Sequence, residues 1–246
     1  MAWRLPVRSP VAGSSESGSR RPEPDGFSGR VAIIGGTGRL GLGLARRLQA
    51  AAVDIVLGSR DPARAETAAR SMGLAAQAGR GNVAAAEAAE VIVITVPSEA
   101  HTQILSAIAE ATAGKVVVDT TVSFTESALR FHSGRPERSR TGAAVSAAEE
   151  ASRLLPRARV VAGFHTVSAP MLADLARPPH GDVLLCGDDE GAKESVAHLV
   201  RAIRMRPVDA GPLAHARILE QLPRVLVTIN KRYRRRDLGI QIAGLD

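Results

Sequence analysis

From Arg30 onward the apolar residues fall into two kinds of pattern. Short unbroken runs occur at Val31-Ala32-Ile33-Ile34, Asp54-Ile55-Val56-Leu57, Val91–Val96 and Lys115-Val116-Val117-Val118. They lack the in-and-out alternation of a half-exposed strand, so they predict strands buried on both faces. Between them lie segments with helical spacing. Leu40, Leu44 and Leu48 mark a helix over residues 39–51, Asp61-Pro62 opens another, and residues 99–112 form a third. Further on, the pattern predicts a helix over Ala143–Leu155, strands at Arg159–Phe164 and Asp182–Cys186, a helix over Asp189–Arg204 and a short strand at Arg206–Asp209. A long helix follows from Leu213 to about Tyr233, which Pro223 kinks or splits. Strands alternating with helices predict an α/β fold: a Rossmann-type doubly wound parallel sheet with a smaller C-terminal helical portion.

Two stretches stand outside this alternation. Residues 1–29 are rich in Ser, Gly, Pro and Arg with no apolar period, and read as a disordered tail. Arg20-Arg21 lacks the apolar stretch that a twin-arginine signal needs, since Pro22-Glu23-Pro24-Asp25 follows. Residues 124–142 are polar and loop-like. The organisation expected is a tail over 1–29, a nucleotide-binding Rossmann domain over 30–158, and a portion over 159–246 that completes the sheet and the second-substrate site.

Composition narrows the classes. The 246 residues are 45% hydrophobic and 23% charged, which are globular values. No apolar run reaches the roughly 18 residues of a membrane span. The single cysteine, Cys186, allows neither an internal disulfide nor a cysteine metal cage, and a reducing, cytoplasmic setting fits. The net charge of +7 favours anionic partners, while 2% aromatics leaves no stacking platform for single-stranded nucleic acid. The run Lys231-Arg232-Tyr233-Arg234-Arg235-Arg236 reads as a solvated helix end rather than a nucleic-acid site.

Candidate chemistry begins at Gly36-Thr37-Gly38-Arg39-Leu40-Gly41, a G-x-G-x-x-G that follows a strand and opens a helix. In that context the glycines allow a tight turn, close approach of backbone to a pyrophosphate, and close packing of helix on strand. Free N–H groups and the helix dipole then meet the phosphates. About twenty residues on, where an NAD site wants a carboxylate, stands Gly58-Ser59-Arg60, with Arg64 one helical turn later. A hydroxyl and two guanidinium groups suit a 2′-phosphate, so NADP is favoured over NAD; the alternative is a pair of plain surface arginines. Asp61 reads as a helix cap.

Other strand ends carry Val96-Pro97-Ser98, Asp119-Thr120-Thr121-Val122, His165-Thr166-Val167-Ser168-Ala169 and Gly211-Pro212. Among these His165 is the leading polar candidate, either at a ligand or as a structural histidine bonding the backbone. His101, His132, His180, His198 and His215 show no metal-ligand spacing. Cys186 reads as a buried small residue rather than a reactive thiol, and the Asp188-Asp189 pair as a cap. No acid–base pair emerges and no metal is expected. Such a site suits direct hydride transfer between two bound carriers.

The glycine turn, Gly58-Ser59-Arg60, Phe164-His165-Thr166-Val167-Ser168-Ala169, Cys186-Gly187-Asp188-Asp189, Asp209–Arg217 and Ile229-Asn230-Lys231-Arg232-Tyr233 together resemble the NADPH-dependent coenzyme F420 reductases, or F420H2:NADP+ oxidoreductases. The resemblance spans residues 30–246. It implies reversible hydride transfer between NADPH and the deazaflavin F420, in a homodimer. It implies that Thr37, Gly38, Arg39 and Leu40 hold the pyrophosphate, and that Ser59, Arg60 and Arg64 hold the 2′-phosphate. Val96, Val122 and Ala169 would surround the nicotinamide, with His165 and Val167 at the deazaflavin. Ser98 and Ser123-Phe124-Thr125 depart from the family pattern beside the expected F420 site. The alternatives are an NADPH-dependent reductase of a carbonyl, imine or flavin, and a non-catalytic NADP-binding protein.

Overall fold

The strands are buried on both sides because successive residues feed two different cores. In the computed structural model, which describes residues 29–122 and 145–245, Val31, Ile33, Val91, Val93, Val116 and Val118 enter one core while Ala32, Ile34, Ile92, Ile94 and Val117 enter the other. This is why the runs are unbroken. Among the described residues the strands are β1 (Arg30–Ile34), β2 (Asp54–Ser59), β3 (Gly79–Gly81), β4 (Val91–Ile94), β5 (Val116–Asp119), β6 (Arg159–Ala162), β7 (Asp182–Gly187) and β8 (Arg206–Asp209). Their order is β3-β2-β1-β4-β5-β6-β7-β8. The first six are parallel, with Ile34 opposite both Gly58 and Ile94, Ile94 opposite Asp119, and Asp119 opposite Ala162. Their carboxyl ends therefore line up along one edge.

The helices are α1 (Arg39–Ala50), α2 (Pro62–Ser71), α3 (Asn82–Glu87), α4 (Ser98–Ile108), α5 (Ala147–Leu154), α6 (Ala169–Ala173), α7 (Glu190–Ala202), α8 (Ala216–Leu219) and α9 (Leu222–Arg232) among the described residues. Asp61 caps α2 by accepting from Ala63 N at 3.0 Å, and Asp189 caps α7 by accepting from Ala192 N at 2.6 Å. Asp188 does something else: it accepts from Leu213 N at 2.9 Å.

Several expectations need correction. β3 and α3 were not predicted. Gly-Arg-Gly carries no apolar residue, and β3 forms because Gly79 lets the Ala65 carbonyl of α2 lie against it; an added Cβ would collide with that carbonyl. The sheet is not wholly parallel, since β7 runs against β6, with Ala162 opposite Cys186 and Val161 opposite Gly187. The link between them holds only the five-residue α6, also unpredicted, which packs on α1 instead of crossing the sheet. Of the two outcomes expected at Pro223 the structure shows the split: Leu213–Tyr233 forms a 3-10 turn at Leu213–His215, α8 and α9, with Pro223 in the first turn of the last. The tail, the 124–142 loop and Ser123-Phe124-Thr125 lie outside the described residues.

One buried cation ties the first helix to the later half of the chain. Arg47 of α1 is 8% exposed and donates to the carbonyls of Leu172 at 3.1 Å, Met171 at 3.0 Å and Arg177 at 2.9 Å, and also to that of Asp174. The carbonyls at the end of α6 supply the negative dipole end that such a cation needs.

Candidate functional site

At the carboxyl edge of β1 the chain turns sharply into α1. Gly36 N donates to Ile33 O at 3.1 Å and to Gly58 O at 3.0 Å, and Gly38 N donates to Gly35 O at 2.9 Å. The left-handed residue of this turn is Gly35, at φ +78, one position ahead of the motif. Gly36 is needed for space, since a Cβ there would stand 2.8 Å from Ile33 O. Gly41 is the closest contact: a Cβ would stand 2.6 Å from Thr95 Oγ1 and 2.9 Å from Gly35 O. α1 starts with no side-chain cap and no acid in its first turn, so its leading N–H groups face outward for an anion.

The turn opens on a cleft of about 770 Å³, lined by Thr37, Gly38, Arg39, Ser59, Arg60, Arg64 and Val96 among others. Seven of the predicted site residues thus share one cavity. Ser59 is buried at the end of β2, and its Oγ accepts from Asp61 N at 3.2 Å, leaving its proton for a ligand. Arg60 and Arg64 are exposed, and neither joins an ion pair among the described residues. Asp61 also lines the cleft, but its carboxylate is turned to the α2 amides. Leu40 is not on the cleft wall; its side chain packs against the core beneath α1. Asn82, at the start of α3, is a wall residue that the sequence reading missed, and its buried Oδ1 has no hydrogen-bond partner. It could not be found because β3 itself was invisible.

Further along the edge stand Val122 and Ala169, expected at the nicotinamide, and His165 and Val167, expected at the deazaflavin. Val122 and Ala169 are partly buried, Val167 is buried, and none of the three lines the cleft. His165 is 8% exposed and also lies off the cleft wall. Among the described residues neither of its ring nitrogens has a partner, so no described backbone group bonds this histidine. Burial pushes its pKa down to about 4, against a weaker opposing pull from Asp119, which leaves a neutral imidazole. The preceding Phe164 sits at φ +64, a strained conformation for a bulky residue, and Val167 N closes the turn onto Phe164 O at 3.1 Å. Thr121 Oγ1 is likewise buried and has no partner within hydrogen-bond geometry among the described residues.

A pair that no spacing suggested lies beneath these residues. His101 of α4 and Asp119 of β5 meet at 2.6 Å, Nε2 to Oδ2, with side chains 3% and 0% exposed. Burial, the largest single influence, would discharge His101, yet its bond to Asp119 together with the charges of Asp119, Glu150 and Glu220 raises its pKa, and the His101 bond and charge with the Thr121 hydrogen bonds hold the Asp119 carboxyl below its usual range against its own burial. Glu220, also buried, accepts from Ala147 N at 3.0 Å and Ala148 N at 3.1 Å at the start of α5. Burial pushes its pKa up to about 7, against the pull of those two amides.

The reversal of β7 moves one expected group. Gly187 lies opposite Val161 in the middle of β6, and Asp189 approaches Arg159 at the start of β6, so β7 and β8 end toward the other edge of the sheet. Gly211-Pro212 therefore stands away from the carboxyl edge. It meets the other distinctive segment instead: Gly187 N donates to Gly211 O at 3.1 Å, and Lys193 Nζ binds Asp209 at 2.6 Å and Glu190 at 2.8 Å. Cys186 is fully buried, and its thiol is pushed up to about 12 by burial, so it is no nucleophile. Among the described residues no cluster of three or more His, Cys, Asp or Glu could hold a metal ion.

With the geometry in hand, comparison with known proteins is informative. Residues 30–123 match the family described as NADP oxidoreductase, coenzyme F420-dependent. The F420-dependent NADP reductase of Methanothermobacter marburgensis is 37% identical over 225 residues, covering 88% of this chain and 99% of the relative. That of Methanocaldococcus jannaschii is 33% identical over 226 residues, with 88% and 99% covered. A solved structure from Arthrobacter sp. FB24 shares the fold at a TM-score of 0.72 and 24% identity, over 88% of this chain and all of that one.

Proposed function

The chain belongs to the F420-dependent NADP oxidoreductases, and on that footing we propose which of its residues carry the reaction. The protein transfers a hydride between NADPH and coenzyme F420, an 8-hydroxy-5-deazaflavin. When bound, the dihydronicotinamide supplies the hydride, the deazaflavin accepts it, and one proton is taken up; the residues of the chain bind and align.

The observation that carries the assignment is the uncapped α1 amino end opening on the same cleft as Ser59, Arg60 and Arg64. Thr37, Gly38 and Arg39 hold the pyrophosphate, with Leu40 contributing its backbone while its side chain anchors the helix. Ser59, Arg60 and Arg64 hold the 2′-phosphate, since the hydroxyl donates and both guanidinium groups are uncommitted. Val96 closes the cleft under the nicotinamide, and Val122 and Ala169 border its ring from the turn after β5 and from α6. His165 and Val167 face the deazaflavin. The unpartnered nitrogens of His165 and the hydroxyl of Thr121 are the buried polar atoms that a bound heterocycle would satisfy. A neutral His165 adds no cation beside the hydride acceptor.

Residues 30–158 make the NADP-binding part and 159–246 complete the deazaflavin site. Two copies pair through the α8–α9 face, where Ile218, Val225 and Tyr233 are exposed. No described helix is long and apolar enough to cross a membrane, and we place the enzyme in the cytoplasm. No nucleic acid is involved. The direct test is loss of F420 absorbance with NADPH and then NADH. Bleaching with NADPH only is expected. Equal bleaching with NADH would remove the 2′-phosphate assignment, and NADPH binding without bleaching would point to another acceptor.

A further inference from the structure

The carboxyl end of β5 is held by a bond that no ligand-binding residue supplies. Asp119 Oδ1 accepts from Thr121 N at 2.8 Å, which folds the chain back into the turn Thr120-Thr121-Val122. Thr120 Oγ1 donates to Ile94 O at 2.7 Å and pins the same turn to β4. The other carboxylate oxygen, Oδ2, belongs to a fully buried residue and meets His101 Nε2 at 2.6 Å. His101 projects from α4, whose first turns also form the cleft wall at Pro97, Ala100 and Ile104. One imidazole thus joins the helix at the nicotinamide end of the cleft to the strand end beside it. A buried carboxylate with one oxygen unsatisfied would be costly, so without His101 the turn loses its fixed anchor.

We propose that His101 is a positioning residue for hydride transfer: through Asp119 it fixes the Thr120–Val122 turn against the bound nicotinamide. This rests on the placement of Val122 at the nicotinamide given above. His101 touches neither carrier; it acts through the turn. Its effect belongs to alignment more than to affinity, because the phosphate contacts lie at the α1 and β2 ends. A displacement of about 1 Å at a reacting centre can cost on the order of 100-fold in rate.

The test uses full-length protein with His101→Phe, His101→Gln and Val122→Gly. The Gln variant can still donate to Asp119 Oδ2, whereas Phe cannot. NADPH affinity and the fluorescence anisotropy of bound NADPH, which follows the freedom of its nicotinamide, are read without F420. Steady-state kcat and KM are then read with it. For His101→Phe the expectation is a nicotinamide with lowered anisotropy, kcat reduced about 10-fold or more, and an NADPH dissociation constant within about threefold of wild type. His101→Gln should recover most of both readouts. If Phe does not fold, the smaller His101→Leu takes its place with the same expectation. Unchanged anisotropy in His101→Phe, or a Gln variant no better than Phe, overturns the proposal. If Val122→Gly is also silent in anisotropy, the nicotinamide placement falls with it. If anisotropy moves as expected while no variant nor wild type bleaches F420, the positioning role stands and the choice of acceptor falls.

Discussion

Arg60 and Arg64 are the residues on which the proposed choice of NADP over NAD rests. Both guanidinium groups sit on the cleft rim without an acid partner among the described residues, and the nearby Asp61 has its Oδ1 on the Ala63 amide of α2. Arg60→Ala should lower kcat/KM for NADPH about 10- to 100-fold and leave NADH within about twofold, checked by initial rates with both cofactors. Comparable losses with both would mean that Arg60 serves the fold or the pyrophosphate. His165 yields a different expectation. Its lowered pKa, about 4, means that it carries no charge from pH 6 upward, so His165→Asn should alter KM for F420 without removing any limb of the rate profile between pH 6 and 8. Loss of such a limb would show that His165 titrates there. At this scale the sequence spoke clearly where function depends on local order. Gly36, Gly38, Ser59 and Arg60 are legible because the strand, turn and helix that place them are contiguous. His101 and Asp119 were not, because their meeting depends on how α4 lies over β5, which no spacing encodes. Asn82 was hidden with the strand that presents it.

Among the elements, the end of β2 and the start of α2 present the proposed phosphate clamp, and Gly79 lets β3 lie against α2. Gly79→Ala would drive a methyl group into the Ala65 carbonyl, a backbone atom that cannot step aside. The expected cost is about 1–3 kcal/mol or more, with weaker NADPH binding as α2 and Arg64 shift, measured by urea unfolding and by fluorescence titration. Wild-type stability would mean that α2 moves freely. Glu220 performs the matching task for α5. Its pKa is raised to about 7 in the fold, above its ordinary value of 4.5, so the folded state holds more protons than the unfolded one between those limits. The stability this contributes is full below about pH 4.5 and is lost as pH rises through about 7. Glu220→Gln removes that loss, and the melting temperature of the variant should gain on wild type from pH 5 to 8. A constant difference would show that the two amides keep the carboxylate ionised. The central strands were readable because each had to feed two cores at once. The break at Pro223 and the reversal of β7 were less so: a proline permits a kink or a new helix start, and strand direction is set by where α6 packs.

For the molecule as a whole, charge and apolar exposure point to its partners. The net charge of +7 suits two polyanionic carriers, so KM for both should rise with salt. The exposed Ile218, Val225 and Tyr233 face argues for pairing, and Val225→Asp should convert a dimer to a monomer in sedimentation velocity. An unchanged mass would place the contact elsewhere. The fold class was legible from the alternation of runs, whereas the link between the halves was not, since it rests on Arg47 reaching four carbonyls that lie 124 to 130 residues away. A further tie concerns time. Ser168, between Val167 and Ala169, donates its hydroxyl to Arg236 O at 2.8 Å, and Ile240 O accepts from Asp182 N at 2.7 Å. As the chain leaves the ribosome, the residues that line the cleft, Gly35 to Ile104, all emerge within its first half. The segment proposed to face the second carrier must wait for residues 236–240. A nascent chain would thus hold every wall of its first cleft before the second segment is tied down.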